Sequence, residues 1–552
     1  MKSKPNSLAW SLAICLLATL LACGTRVVAQ PPGLSSFAVT ATDKSHALDT
    51  FPTTAVEAHL SIQAIDKQGQ PDTSYAGVAA LYVTPGIILT GTGSNGQFSV
   101  ASTTNLDFPT LTFSAGQAEV DVWVKQVFGE TYFWVEDRSG TDAGAGTTLL
   151  ATGVSNPLRY AFPLLQDTQI TNDNTTSPLN GAQVTLDESQ PRCLAPTGDG
   201  GACDPNKLYT MDMIVTGVGS DHFTVLDRNA FDPDSGVPYP GLDPGTGKTD
   251  LPGSWASMFV YTYSEPTLFV GDRISSLSGT LQEFDGDTQL NFPSYTLNPD
   301  SRYSLPRPQD LPPPVPIDPG WCPPRDSNDQ PSDGILCETA TSDVHLESLE
   351  SALISLRDAT IPSRWLSCDL AGNGSIPYRN SNGCMPQTGG NFCYADGGGA
   401  GAICPSGEQC IDDECLAVCS SSAECQTSDH EACIDGHCMN PCMCRQYCDA
   451  DPTCAELYQY NAYGQYTVVF PGDGGGLWKF GALTKTGVAS FNPYTHPGMV
   501  VDFLNGTLSQ VRASDPMWVI EPRVNQDMCC HANSPGCDAD AGVVICPQHT
   551  SQ

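Results

Sequence analysis

Residues 269–295 read FVGDRISSLSGTLQEFDGDTQLNFPSY, and residues 497–523 read PGMVVDFLNGTLSQVRASDPMWVIEPR. The two stretches share a spacing. Gly271 is followed eight residues later by Gly279-Thr280-Leu281, and Gly498 by Gly506-Thr507-Leu508. Leu277 and Leu504 each stand two residues before the second glycine, and a second strand-like run follows both times. A fixed internal spacing of this kind marks a repeated structural unit, so the chain is expected to contain one β unit twice.

Composition agrees with an all-β reading. The 552 residues include 52 Gly and 44 Pro, and only 15% are charged. That is turn-rich composition, and the length is enough for several domains. With 24 Lys+Arg against 61 Asp+Glu the net charge is −37. Such a surface repels nucleic-acid phosphates and anionic lipid.

The N-terminus reads as an export signal. Lys2 and Lys4 precede an apolar run over 8–21, which is too short to span a bilayer. Residues 20–24, Leu-Leu-Ala-Cys-Gly, resemble a bacterial lipobox, which implies lipidation of Cys23 and a signal peptide over 1–23. The competing reading is cleavage after Val27-Val28-Ala29, which frees a secreted chain. Membrane contact is expected only through a lipid anchor. Of the 24 cysteines, 22 lie from Cys193 onward, an even set suited to disulfides in an oxidising compartment.

Residues 33–165 are expected to form one β-sandwich. Val120, Val122 and Val124 alternate with polar residues, as in a half-buried strand. Further strands are expected over 56–65, 78–83, 87–89, 111–113 and 131–135. The residues Ala64-Ile65-Asp66-x-x-Gly69, Tyr75-x-Gly77-Val78, Phe113-x-x-Gly116-x-Ala118 and Val135-x-Asp137 resemble bacterial immunoglobulin-like domains of the invasin type. That resemblance implies a spacer or adhesive stalk.

Residues 170–297 are expected to form a five-stranded barrel. A hairpin over 209–227 turns at Gly217-Val218-Gly219-Ser220, a third strand covers 255–263, and the repeated stretch supplies the last two. The wording Val270-Gly271-Asp272-x-Ile274 … Gly279-Thr280-x-x-Glu283-Phe284-x-Gly286-x-Thr288-Gln289-Leu290 is similar to the oligonucleotide/oligosaccharide-binding (OB) modules that accompany secreted bacterial nucleases. Cys193 and Cys203 are expected to staple a loop of this unit. Eleven prolines between 299 and 331 mark 298–342 as a stiff linker, its far end closed by Cys322 and Cys337. Residues 343–528 are expected to be the second barrel, opened by a Cys-rich insertion over 363–460, and 529–552 a stapled tail.

Within the insertion, 408–415 (EQCIDDEC) matches 431–438 (EACIDGHC). The unit is four cysteines: Cys393, Cys404, Cys410 and Cys415, then Cys419, Cys425, Cys433 and Cys438. It resembles small cysteine-rich repeats of Gram-negative surface lipoproteins. Units this small depend on disulfides for stability. A first-to-third, second-to-fourth pairing fits but does not follow from spacing.

Catalytic motifs are not found. No G-x-S-x-G, H-E-x-x-H or P-loop occurs, and the chain leaves no room for a nuclease domain beside these modules. No cofactor is required. Asp227, Asp232, Asp234 and Asp243 cluster after the hairpin, and Asp285 and Asp287 flank Gly286. Such oxygen ligands suit calcium, against the plainer reading of a solvated acidic loop. Ligand stacking is expected from Trp255, Phe259, Tyr261, Tyr263 and Phe292 in the first barrel. Tyr463, Tyr466, Trp478, Tyr494 and Trp518 are the counterparts in the second, with alternate residues facing the core. His222 and His496 read as ordinary strand residues. The whole describes a multidomain all-β chain: an Ig-like sandwich, two OB-like barrels and a disulfide-rich, loop-dominated insertion. Its expected role is non-enzymatic binding or adhesion at the cell surface or outer membrane, with an unknown surface glycan or protein as partner. The alternatives are an accessory or nucleic-acid-binding module for polymer degradation, and a structural surface component.

Overall fold

The computed structural model describes residues 33–52, 54–89, 109–138, 150–170, 176–177, 179–193, 208–231, 253–284, 286–299, 310–322, 337, 344–367, 406–411, 414–425, 432–439, 444, 448, 451–457, 460–461, 464–472, 477–484, 491–510, 518–538 and 542–546. They fall into two compact units that divide between Phe162 and Pro163. The chain is a multidomain all-β protein. Among the described residues no helix is long and apolar enough to cross a membrane.

The first unit is built from two sheets. One runs β1 (Leu34–Asp43), β2 (Val56–Asp66), β6 (Gln117–Lys125), β4 (Ile87–Ile88). The other runs β5 (Thr110–Thr112), β3 (Val78–Thr84), β7 (Gly129–Asp137), β8 (Thr152–Val154), with β9 (Leu158–Tyr160) also on β7. In β2 every second residue, Val56, Ala58, Leu60, Ile62 and Ala64, is buried. Phe133 and Val135 of β7 join them in a single core. Period-two alternation dictates this, because neighbouring side chains on a strand point to opposite faces. The strand β1 lies outside the sequence-based expectation, since its short polar residues mask the buried set Leu34, Phe37, Val39 and Ala41.

Residues quoted for the immunoglobulin-like resemblance meet in space. The Tyr75 hydroxyl donates to Asp137 Oδ1 at 2.6 Å, and the Tyr75 and Phe113 rings pack edge-on at 5.0 Å. Gly116 has φ +77, and a Cβ there would lie 2.1 Å from the Asp72 carbonyl oxygen, so only glycine fits.

The second unit contains both copies of the repeat. In barrel 1, β10 (Gln183–Asp187) and β11 (Met213–Val218) lie end to end along β14 (Arg273–Phe284). Next come β12 (His222–Asp227), β13 (Ser257–Tyr261) and β15 (Asp287–Leu297). The ring β11–β12–β13–β15–β14 closes back on β11, all antiparallel except the β13–β15 pair. In barrel 2, β16 (Leu353–Thr360), β17 (Gln465–Pro471), β18 (Leu477–Leu483), β20 (Trp518–Glu521) and β19 (Val500–Gln510) form the same ring, with β18–β20 the parallel pair.

The duplication holds at single hydrogen bonds. Gly271 N donates to Val215 O at 2.8 Å and Val215 N to Asp272 O at 2.8 Å; Gly498 N and Ile361 N make the matching pair, to Ile361 O and Met499 O, at 2.9 Å each. Val184 faces Gly279 and Ile354 faces Gly506. Both second glycines sit where the neighbouring strand comes close. A Cβ on Gly279 would lie 2.8 Å from Asn291 O, and one on Gly506 2.4 Å from Glu521 O. The copies differ in where they admit extra chain. Residues 188–212 interrupt the first strand of barrel 1, whereas in barrel 2 that strand is continuous and the insertion lies between β16 and β17.

The proline-rich segment is less independent than its composition predicts. Val315–Pro316 pairs alongside β16, Ile317 enters the barrel 2 core, and Cys322–Cys337 is a disulfide with both cysteines in that core. In the insertion, Cys419–Cys433 and Cys425–Cys438 give the first-to-third, second-to-fourth pattern. Each repeat is a short hairpin, 408–411 with 414–417 and 432–434 with 437–439. The second turns at Asp435-Gly436, both with positive φ, the chemistry a two-residue hairpin needs. Cys193 and Cys415 are disulfide-bonded. Cys23, Cys203 and Cys404 lie outside the described residues, as does the side chain of Cys410. The tail is stapled by Cys529–Cys546 and Cys530–Cys537, and Met528–Cys530 pairs with β19.

Candidate functional site

A run of aromatic rings, half-buried at one end and exposed at the other, crosses the outer face of barrel 1. On β13, Met258 and Val260 point inward and are fully buried, so Phe259 and Tyr261 share the outer face. His222 of β12 pairs with Tyr261 in register and stacks on the Phe259 ring at 4.5 Å. Its Nδ1 lies 2.9 Å from Asp221 Oδ1. Tyr263 packs on Tyr261 with centroids 4.4 Å apart, and Phe292 stacks on Tyr263 at 5.0 Å.

Backbone irregularity pushes the last two rings outward. Ser278 pairs with Ser294 but Thr280 with Asn291, so Phe292 and Pro293 together face the single Gly279, and β15 carries one extra residue. A bulge of this kind re-aims a side chain. Phe292 and Tyr263 have φ of +52° and +61°, a left-handed conformation that is costly for bulky residues. The result is Phe292 at 72% exposure and Tyr263 at 53%. Large rings held in solvent by strained backbone are what a stacking surface requires. Two tyrosine hydroxyls at its margin add donors and acceptors.

Four expected stacking residues are buried, Trp478 at 7% exposure among them, and Tyr463 lies outside the described residues. Tyr466 and Trp518 are 2% and 1% exposed and lie in the barrel 2 core with Val468, Phe480 and Ile520. Their strand parity faces the barrel interior. Trp255 is buried as well, and its backbone N–H donates to Ser348 O, across the contact between the barrels.

Among the described residues, barrel 2 carries no aromatic ring at the positions that match the platform; its own rings Trp365, Tyr460 and Tyr494 cluster elsewhere. Matching the strand registers places Gln465, Gly481, Leu483 and Pro522 where barrel 1 has His222, Phe259, Tyr261 and Phe292. That face is covered by the insertion. Lys479 of β18 is fully buried, and its Nζ donates to Cys448 O at 2.5 Å and Cys454 O at 2.7 Å. Arg364 reaches Asp435 and Asp451, tying the second hairpin to the same body.

The expected calcium ligands divide. Asp227 is buried inside barrel 1, where it accepts the Tyr209 hydroxyl and the backbone N–H groups of Asp212 and Asn229. Burial pushes its carboxyl up to about 6 despite those bonds. It acts as a structural acceptor, not a loop ligand. Asp232, Asp234, Asp243 and Asp285 lie outside the described residues. Asp287 is buried and accepts Gln510 N at 2.6 Å. Beside Asp227, Asp212 binds Arg228 and Arg273. Burial raises Glu188, which accepts Met213 N, to about 7. Cys419, Cys425 and Cys438 converge closely, but their sulfurs are committed to disulfides, so they offer no thiolate to a metal.

The platform residues Phe259, Tyr261, Tyr263 and Phe292 are legible as candidates from aromatic spacing. His222 is not, because its role depends on which ring lies across the strand pair. No protein-family model matches the chain, and no curated protein matches its sequence.

Proposed function

We propose that this is an exported, non-enzymatic surface binding protein whose barrel 1 captures glycan by ring stacking. The observation that carries this reading is the ring series on one barrel face, in which half-buried His222, Phe259 and Tyr261 lead to exposed Tyr263 and Phe292. Two further features support it. His222, Phe259 and Tyr261 lie on the second and third strands of a five-stranded ring, the face that OB barrels use for oligosaccharides and oligonucleotides, and Phe292 extends the platform onto the fifth strand. The net charge of −37 disfavours a phosphate backbone and favours uncharged sugar rings. Disulfides throughout the second unit fit an oxidising exterior, and lipidation at Cys23 would hold the chain at the membrane surface. In this reading the sandwich is a spacer, and barrel 2 with its insertion is the rigid mount.

The test is affinity electrophoresis of the purified protein through gels containing neutral polysaccharides, with labelled single-stranded DNA as counter-probe. A polysaccharide that retards the protein should lose at least about 30-fold in affinity with the Tyr263→Ala/Phe292→Ala double variant, taking about 1–3 kcal/mol for each of the two stacked rings. Equal retardation of wild type and variant would remove the platform from the binding site. Salt-sensitive DNA binding lost in the same variant would transfer the site to nucleic acid.

A further inference from the structure

The contact between the two barrels is built on carboxyl groups. Glu350, just after the short helix Val344–Ser348, is 3% exposed, and its Oε1 accepts the Thr288 N–H of barrel 1 at 2.8 Å. The Thr288 hydroxyl donates to Glu283 Oε1 at 2.8 Å. In the other direction, Asp287 of barrel 1 accepts Gln510 N of barrel 2 at 2.6 Å, and Gln510 Nε2 lies 3.4 Å from Glu347 Oε2. Trp255 N donates to Ser348 O beside them. Glu347, Asp287 and Gln510 are all buried.

Among the described residues, the charged groups that act most on Glu350 are Asp287, Glu347 and Glu283, all acids. Arg523 also crosses the contact, to Thr216 O at 2.7 Å, but its charge is met by Asp527. A carboxylate withdrawn from water among like charges is costly, and the usual response is to keep the proton. Burial, then these neighbours, hold Glu350 well above the ordinary carboxyl range.

We propose that the joint between the barrels is a proton-held latch. The Glu350 carboxyl, packed against Asp287, Glu347 and Glu283, closes the joint while protonated and loosens it on ionisation. When the joint opens, Glu350 regains water and its proton leaves to solvent. The sign follows from linkage. A carboxyl whose folded value is raised favours the closed form fully below its ordinary value of 4.5. That advantage is lost as pH rises toward the folded value. The joint is therefore tight in acid and weakens as pH rises above the ordinary carboxyl range, independently of what the aromatic platform binds.

The experiment is hydrogen exchange by mass spectrometry on the full protein across a pH series, each rate divided by the intrinsic rate at that pH. Peptides containing Thr288, Gln510 and Trp255 report the joint. Those containing Leu281 and Leu508, whose N–H groups bond within each barrel, report the barrels themselves. Joint protection should fall at least tenfold with rising pH while barrel protection holds, and Glu350→Gln, which is neutral at all pH, should abolish the fall. Flat protection in wild type would overturn the latch, and that arm needs no variant. So would a fall equally steep in Glu350→Gln. Recovery of joint protection at high pH on adding calcium, in wild type but not in Glu350→Gln, would also overturn it, because a cation rather than a proton would then neutralise the joint.

Discussion

Gly506→Ala tests why the repeat carries its second glycine. A Cβ at Gly506 would lie 2.4 Å from Glu521 O, 2.5 Å from Glu521 C and 2.8 Å from Pro522 N. All three are backbone atoms of the strand that closes barrel 2, so no side-chain rotation relieves the contact. Either β19 and β20 separate or the ring distorts. Overpacking a dense site costs about 1–3 kcal/mol, and a purely backbone clash belongs at the top of that range. Gly279→Ala is the matched change in barrel 1 and should cost about 2 kcal/mol, because part of its clash is with the Leu290 side chain, which can turn. The control is Gly498→Ala. Its φ is +75 but nothing lies within 4 Å of the added Cβ, so only the left-handed penalty of about 1–2 kcal/mol applies. The assay is thermal unfolding under oxidising conditions, followed by far-ultraviolet circular dichroism. A loss of 3 kcal/mol corresponds to about 6–12 °C, so Gly506→Ala should melt lowest, then Gly279→Ala, then Gly498→Ala. Gly506→Ala melting at or above Gly498→Ala would refute the reasoning: strand approach would not be what reserves the position for glycine.

Two further outcomes follow from buried polar groups. Lys479→Met keeps the length of the side chain but leaves the Cys448 and Cys454 carbonyls without their donor, at about 1–3 kcal/mol. Limited proteolysis should then cut the insertion faster than wild type while barrel 1 stays intact, and an unchanged digestion pattern would mean that Lys479 does not hold the insertion down. Glu188 has a folded value of about 7 against an ordinary 4.5, raised first by burial. Its contribution to stability is therefore lost as pH rises between those two values. The melting temperature of Glu188→Gln should fall less steeply over that interval, and parallel curves for variant and wild type would show that Glu188 does not drive the dependence.

Local chemistry made much of the architecture legible. The glycine spacing of 271/279 and 498/506 announced the duplication, because each pair marks two backbone constraints a fixed distance apart: a left-handed turn and a close strand approach. Alternating valines located β6, since that signal acts within a few residues. The aromatic candidates divided according to a less local property. Phe259 and Tyr261 face outward while Tyr466 and Trp518 face the core. Parity relative to a barrel interior depends on how all five strands close, not on any one of them. The bulge at Phe292 likewise arises from mismatched register with β14, a partner strand.

By itself, then, the sequence determined the all-β class, the repeat, the reliance on disulfides and the absence of the common catalytic motifs. Each rests on composition or on spacing along the chain. Only the tertiary structure decided which barrel keeps an open aromatic face, which barrel is covered by the Cys448–Cys454 segment through Lys479, and that Glu350 meets Thr288 across the joint. Those outcomes join residues distant in sequence, and burial, which gives a lysine or a glutamate its role here, is a property of the packed chain rather than of the residue.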